Sequence, residues 1–453
     1  MRFPHSYDNY RPITILPTID KIVEKCVSAQ IHKFYKKNRI LRQEQYGFQP
    51  GKSTTQLLSD FTDLVNKHLD CKKHVLTVFI DYSKAFDTLR HKTLISSLEN
   101  SGIRGPLLVW CRNYMQERSF TVKICRDYSS KIPVTEGTAQ GSVLGPLHFV
   151  TYVNQLPAVV KDCDIFQFAD DTCLIAADKD ISIALHKLQK SFTAICQWSH
   201  DAGLALNTEK TKMMYVATSQ NRIKNKNLTL IGHEHACLHR DDPDNAAGCD
   251  CPPIDLVDKH TYLGLVIDKR MSWKGHIEVT CNKLRALLAK FALIKNKTPY
   301  YIRLLLYKTL VQSIISYGLS SYGRTFKTHI EKISNLQLRL LKCVVPYNIK
   351  IKHRANYEEL YKHCQVMPVQ LMFKYNLLKE NFFNENLEKL NSCLRTRQAN
   401  KDTYLIPHYT NLHGKHTTAH LTPAFINRLP TNLRKEITPQ NIKHKLKTFF
   451  TPT

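Results

Sequence analysis

Three observations along this sequence predict a mixed α/β fold. The run Val75-Leu76-Thr77-Val78-Phe79-Ile80 is apolar and β-branched enough to be a buried strand, and it delivers Asp81 at its carboxyl end. Farther on, Asp170-Asp171 lies between two β-like runs, 165–169 and 172–176, and reads as a two-residue hairpin turn presenting paired carboxylates. Around these strands, apolar residues recur at helical spacing over long stretches.

The strands carry the chemistry. Two adjacent anions repel and push one pKa up, so such a pair makes sense where divalent cations neutralise it, and hard carboxylate oxygens suit Mg²⁺. Ligand sites gather at strand ends in open α/β sheets. Asp81 beside an acidic hairpin could therefore hold two metal ions about 3.5–4 Å apart for phosphoryl transfer. Two plainer readings stay open at this point: a solvated Asp-rich turn, and an Asp81 that caps the residues following it.

The helices can be placed in order. Residues 20–35 have apolar positions at Ile22, Val23, Cys26, Val27 and Ile31, which predicts an amphipathic helix facing the core through them. Ser53 or Thr54 can cap a helix with the stripe Leu57, Leu58, Phe61, Leu64, Val65 and Leu69. Helices are expected after Leu89 and Pro106 and over 181–200, the last closed by Gly203. A polar segment, 219–260, reads as an insertion or connector, and 262–267 reads as one strand. Helical periodicity returns at 277–291 and 302–315. Residues 281–345 carry Lys283, Arg285, Lys290, Arg303, Arg324 and other basic residues against Glu331 alone.

Composition narrows the class. The 453 residues are too many for one compact core. The hydrophobic fraction of 43% can fill cores, and no apolar run reaches the roughly 20 residues needed to span a bilayer, so no membrane partner is expected. The polar start, with no secretory leader pattern, predicts a location in the nucleus and cytoplasm, and the fourteen cysteines are expected to be reduced thiols. A net charge of +27 favours a polyanionic partner. His233, His235, Cys237, His239, Cys249 and Cys251 form a dense cluster, but their spacing matches no standard zinc finger.

Three stretches occur in a telling order: Phe79-Ile80-Asp81-Tyr82-Ser83-Lys84-Ala85-Phe86-Asp87, Ala139-Gln140-Gly141-Ser142-Val143-Leu144-Gly145-Pro146 and Phe168-Ala169-Asp170-Asp171. With Tyr10-Arg11-Pro12-Ile13, Tyr46-Gly47-Phe48-Gln49-Pro50-Gly51-Lys52, Asn207-Thr208-Glu209-Lys210 and Tyr262-Leu263-Gly264, the chain resembles the reverse transcriptases of non-LTR, LINE-like retrotransposons of the jockey type.

The resemblance implies a right-hand polymerase: partial fingers over 1–74, a palm over 75–218, the insertion 219–260, a primer-grip-like region over 261–275, a basic helical thumb over 276–345 and a C-terminal extension over 346–453. It implies an RNA-directed DNA polymerase extending a primer 3′-hydroxyl with dNTPs on an RNA template. Asp81, Asp170 and Asp171 would hold two Mg²⁺ ions, with Mn²⁺ as an alternative. Tyr82 would lie at the nucleotide, Phe86 would exclude a 2′-hydroxyl, and Gln140-Gly141 would lie near the nascent base pair. Arg11 would meet the triphosphate, Lys210 would protonate the leaving pyrophosphate, and Tyr262-Leu263-Gly264 would grip the primer. RNA template, DNA primer or target DNA, and dNTPs are the implied partners.

The sequence departs from the family at Ala139, where proline usually precedes Gln-Gly, and at Gln49, where arginine is commoner. The short stretch before Tyr10 suggests incomplete fingers. These features support a competing reading, a non-catalytic nucleic-acid-binding remnant of such a polymerase.

Overall fold

The computed structural model describes residues 13–116, 118–218, 228–232, 251–353, 356–383, 387–388 and 403–451. The chain forms two compact units: one of Met1–Ser53, Leu76–Tyr215 and Lys224–Val257, the other of Thr54–Val75, Val216–Ile223 and Asp258–Thr453.

The first unit is built on a five-stranded sheet in the order Asp164–Phe168, Asp171–Asp178, His74–Ile80, Lys212–Val216, Asp255–Leu256. The strand His74–Ile80 lies in the middle and is buried at all seven positions, as its apolar run predicts. Asp164–Phe168 and Asp171–Asp178 form an antiparallel hairpin in which Phe168 pairs with Asp171. The helix Ile181–Asp201 packs on this hairpin. It is opened by the Asp180 side chain accepting from Ser182 N–H and followed by Gly203 at φ +75°, the left-handed residue expected past a helix end. Described parts of the 219–260 segment are woven into this unit. Leu230, Ile231 and Ile254 are buried, and Asp255–Leu256 pairs parallel with Lys212–Met213 at the sheet edge.

The helix Thr18–Asn38 forms where expected, with Val27 and Ile31 facing inward as predicted and its other three apolar positions not. Ile22, Val23 and Cys26 are exposed, whereas Glu24, Val27, Ser28, Ile31 and Tyr35 are buried. The buried Glu24 is satisfied where it stands, its carboxylate accepting the Val143 backbone N–H at 2.6 Å and the Tyr114 hydroxyl.

In the second unit, 262–267 is a hairpin and not one strand. Lys259–Tyr262 and Leu265–Asp268 pair antiparallel around Leu263-Gly264, both at positive φ. Helices Lys274–Ile294 and Lys327–Val344 pack together, and Val369–Asn381 packs on Thr418–Ile426 and Ile442–Phe450. The helix Thr54–Asp70 belongs here, with Leu57, Leu58, Phe61, Val65 and Leu69 buried as its stripe predicts.

Two of the basic residues counted toward a charged surface are interior. Arg303 donates to the carbonyls of Val344 (2.9 Å) and Lys295 (2.6 Å). Arg324 is 3% exposed and ties three segments together, donating to Asp63, to Ser59 Oγ at 2.8 Å, to the His416 carbonyl at 3.1 Å and to Thr418 Oγ1 at 3.2 Å. A buried guanidinium is tolerated only when its donors are paired in this way.

Among the described residues, no helix is long and apolar enough to cross a membrane, and no cysteine pair forms a disulfide.

Candidate active site

Asp81 follows the buried end of the central strand, where its backbone is held twice. Its N–H donates to Thr211 Oγ1 at 3.3 Å, and its carbonyl accepts from Asn207 N–H at 2.8 Å. The next residues continue the pairing through a Tyr82–Leu206 bridge and a Ser83 N–H bond to the Ala205 carbonyl. The Tyr82 ring is buried, with its hydroxyl 3.3 Å from Ser199 Oγ, and burial pushes its pKa up. The side chain of Tyr82 is thus core.

The acidic hairpin lies on the neighbouring strand, and its register differs from expectation by one residue. The turn is Ala169-Asp170, and Asp171 is already the first residue of the second strand. Ala169 has φ +56°, so the first turn residue adopts the positive-φ backbone that the primed two-residue hairpin turns require. Asp170 is half-buried, while Asp171 keeps contact with solvent.

Asp171 reports that the three acids share one electrostatic neighbourhood. Burial first, and then the charges of Asp170 and Asp81, raise its pKa to about 6. A carboxylate can retain solvent contact and still lose much of its hydration when protein atoms crowd its other sides, which reconciles its exposed surface with its burial-driven shift. Among the described residues, no three His, Cys, Asp or Glu side chains close into a metal cage. The acids stand close enough to repel without forming a finished ligand shell. The Lys210 ammonium lies 4.0 Å from Asp81 and is largely solvated, so this contact contributes little to stability while placing a cation beside the acids.

Phe86 and Asp87 extend the site. The Phe86 ring stacks on Phe149 at 4.4 Å and meets Phe48 edge-on at 6.4 Å. Asp87 accepts from the Gln140 side-chain amide at 2.8 Å, which couples two of the sequence stretches directly. Gly141 has φ +120°, and a side chain there would meet the Thr14 carbonyl at 2.8 Å, so this position requires glycine. Thr14 also donates its N–H to the Gln140 carbonyl at 2.7 Å.

Tyr262, Leu263 and Gly264 are in the second unit. There Tyr262 is buried, and the Leu263 carbonyl accepts from the Tyr317 hydroxyl at 2.7 Å. Arg11 lies outside the described residues, as do His233, His235, Cys237, His239 and Cys249 of the Cys/His cluster.

Two further residues matter here: Gln45, which sequence reasoning passed over, and Gly47, which it placed in a motif without a role. Gln45 accepts both the Gly47 N–H (2.7 Å) and the Ala169 N–H (3.0 Å) on its side-chain carbonyl. Gly47 approaches the hairpin so closely that a Cβ would lie 2.4 Å from Ala169 N. The one available signal was a glycine between two aromatic residues, Tyr46 and Phe48, two positions after a glutamine.

The sequence pattern of the family described as "Reverse transcriptase (RNA-dependent DNA polymerase)" matches residues 4–267. The chain is 25% identical over 353 residues to the RNA-directed DNA polymerase from mobile element jockey of Drosophila melanogaster, covering 75% of this chain and 36% of that protein. The corresponding jockey protein of Drosophila funebris is 24% identical over 356 residues, with the same coverage. The chain thus spans about a third of the length of these curated relatives. Among solved structures, telomerase from Candida Tropicalis in complex with a fragment of telomeric RNA is similar at a TM-score of 0.38 and 12% identity, over 77% of this chain and 56% of that one, a level that carries no argument here. The family pattern covers more than half of the sequence and includes all three acids, and the chain therefore belongs to the reverse transcriptase family.

Proposed function

We propose that the chain is the RNA-directed DNA polymerase of a non-LTR retrotransposon, extending a primer 3′-hydroxyl with dNTPs on an RNA template. The observation that carries this reading is the placement of Asp81 at the end of the central strand beside the neighbouring hairpin that presents Asp170 and Asp171, within a chain of this family. Three mutually repelling hard-oxygen donors fit divalent cations, and the three acids would hold Mg²⁺, or Mn²⁺ in its place. Bound there, the ions would lower the pKa of the attacking hydroxyl and neutralise charge on the triphosphate.

The chain's own residues are suited to the remaining tasks. Lys210, beside Asp81 and solvated, can give a proton to departing pyrophosphate. Phe86, stiffened by Phe149, would pack under the incoming sugar and disfavour a 2′-hydroxyl. Gln140, held by Asp87, and Gly141 offer an amide and a close backbone to the nascent pair. Arg11 would meet the triphosphate and Tyr262-Leu263-Gly264 the primer. In this reading 1–74 supplies fingers, 75–218 the palm and 276–345 a thumb. Exposed Lys283, Arg285, Lys290 and Lys297 support phosphate tracking, with affinity falling as salt rises. The net charge of +27 supports RNA and DNA as partners, and the reading places the protein in the nucleus and cytoplasm.

The test is dNTP incorporation on a primed RNA template with Mg²⁺ at low salt. Asp170→Asn is expected to lower incorporation on the order of 10³-fold while leaving duplex affinity intact. Undiminished extension by the variant overturns the assignment. Tight duplex binding with no incorporation by either protein favours the non-catalytic remnant.

A further inference from the structure

We propose that Gln45 is a positioning residue for the acidic hairpin, setting where Asp170 and Asp171 stand for their metal. The inference rests on the polymerase reading for its kinetic consequences but has its own binding readout.

Four observations converge on it. First, Gln45 is 1% exposed, and its side-chain oxygen receives two backbone N–H groups, from Gly47 at 2.7 Å and from Ala169 at 3.0 Å. Ala169 immediately precedes Asp170, so this bond fixes the peptide that launches the acidic turn. Secondly, Ala169 is at φ +56°, a backbone state that costs an alanine roughly 1–2 kcal/mol and persists only where surroundings enforce it. Gln45 and the Gly47 backbone beneath it are those surroundings.

Thirdly, the 44–46 segment is itself docked on the hairpin as a parallel extension. Tyr46 N–H donates to the Gln167 carbonyl at 2.7 Å, Gln167 N–H donates to the Glu44 carbonyl at 2.9 Å, and Gln45 bridges Gln167. Fourthly, the main-chain carbonyl of Gln45 accepts from Lys52 Nζ and Gln49 Nε2, each at 2.9 Å, so the residue is fastened at both ends. Gln49, which departs from the commoner arginine, is used here to hold this loop. A buried acceptor shared by two backbone donors tolerates little movement, which is what a carboxylate pair positioned for metal ions needs.

The test uses Gln45→Met, which keeps side-chain volume and removes the acceptor. In the whole chain, kcat for dNTP incorporation is expected to fall about 10- to 100-fold, with the KM for dNTP and duplex affinity within about threefold of wild type. Mn²⁺ binding, followed by electron paramagnetic resonance without substrate, is expected to weaken at least about threefold. Unchanged kcat and Mn²⁺ affinity would overturn the proposal, and so would a kcat loss accompanied by equal loss of duplex affinity, since that marks general unfolding.

Should Gln45→Met fail to fold, Gln45→Glu keeps the accepting oxygen. Folding with kcat within about tenfold of wild type supports the proposal, whereas a Glu variant as impaired as Asp170→Asn overturns it. If wild type incorporates no nucleotide, the polymerase reading fails, and the Mn²⁺ isotherm alone decides the role of Gln45.

Discussion

Two of the tight two-residue hairpins among the described residues, one in each unit, are stabilised in different ways. Ala169-Asp170 has one positive φ and is held by Gln45 and the backbone of Gly47, all from a segment more than 100 residues away in sequence. Leu263-Gly264 has φ +45° and +81°, the type I′ pattern that matches strand twist, and its Leu263 carbonyl is held by the Tyr317 hydroxyl. The second turn is close to self-sufficient because a glycine supplies half of its geometry. The first lacks any glycine of its own and borrows one, Gly47, from elsewhere. A turn that presents acids cannot choose its residues for conformational ease, so its geometry has to come from neighbours.

This contrast can be broken most forcefully at the borrowed glycine. Gly47→Ala would drive a methyl into Ala169 N and is expected to destabilise the first unit by about 3 kcal/mol and abolish incorporation, measured by urea unfolding and primer extension. If the variant is as stable and active as wild type, the first hairpin does not depend on its neighbour.

His148 asks whether the clamp or the general stability of the unit limits activity. It is 1% exposed, neither ring nitrogen has a hydrogen-bond partner among the described residues, and burial together with Arg118 and His91 lowers its pKa to about 3. His148→Leu is expected to stabilise the unit by about 2 kcal/mol at pH 7 without moving kcat. The unfolded histidine takes a proton near its ordinary 6.5 and the folded one only near 3, so the wild type gradually loses stability as pH falls through that window. Urea midpoints across pH 4–7 should show a shallower fall in the variant.

The second hairpin should respond more mildly. Gly264→Ala keeps ordinary contact with the Tyr317 ring but places alanine at φ +81°, for an expected cost of roughly 1–2 kcal/mol in unfolding. Tyr317→Phe removes a single hydrogen bond of about 1 kcal/mol, and amide exchange over 259–268 should quicken about fivefold. A loss from either variant as large as that from Gly47→Ala would erase the distinction between the hairpins.

What the sequence could reveal follows the same line. The strand His74–Ile80, the stripe of Thr54–Asp70 and the Gly203 stop were legible because each is dictated by residues within its own window. Both hairpins were misread, one by a residue and one as a continuous strand, because Ala169 and Leu263 adopt left-handed backbone that neither residue type advertises. The inward face of Thr18–Asn38 was legible at Val27 and Ile31 but not at Glu24, which is held by partners at 114 and 143. The three acids were visible as residue types in a recognisable order, whereas Gln45 became visible only once two distant backbone donors met at its side chain.

The Arg324 knot has a consequence for biosynthesis. It joins Ser59 and Asp63 to residues 416–418, so the helix Thr54–Asp70 completes its own unit only when a segment made some 350 residues later arrives. At roughly 5–20 residues per second on the ribosome, that helix would wait on the order of tens of seconds for its last partners, an interval in which nascent chains need chaperone shelter.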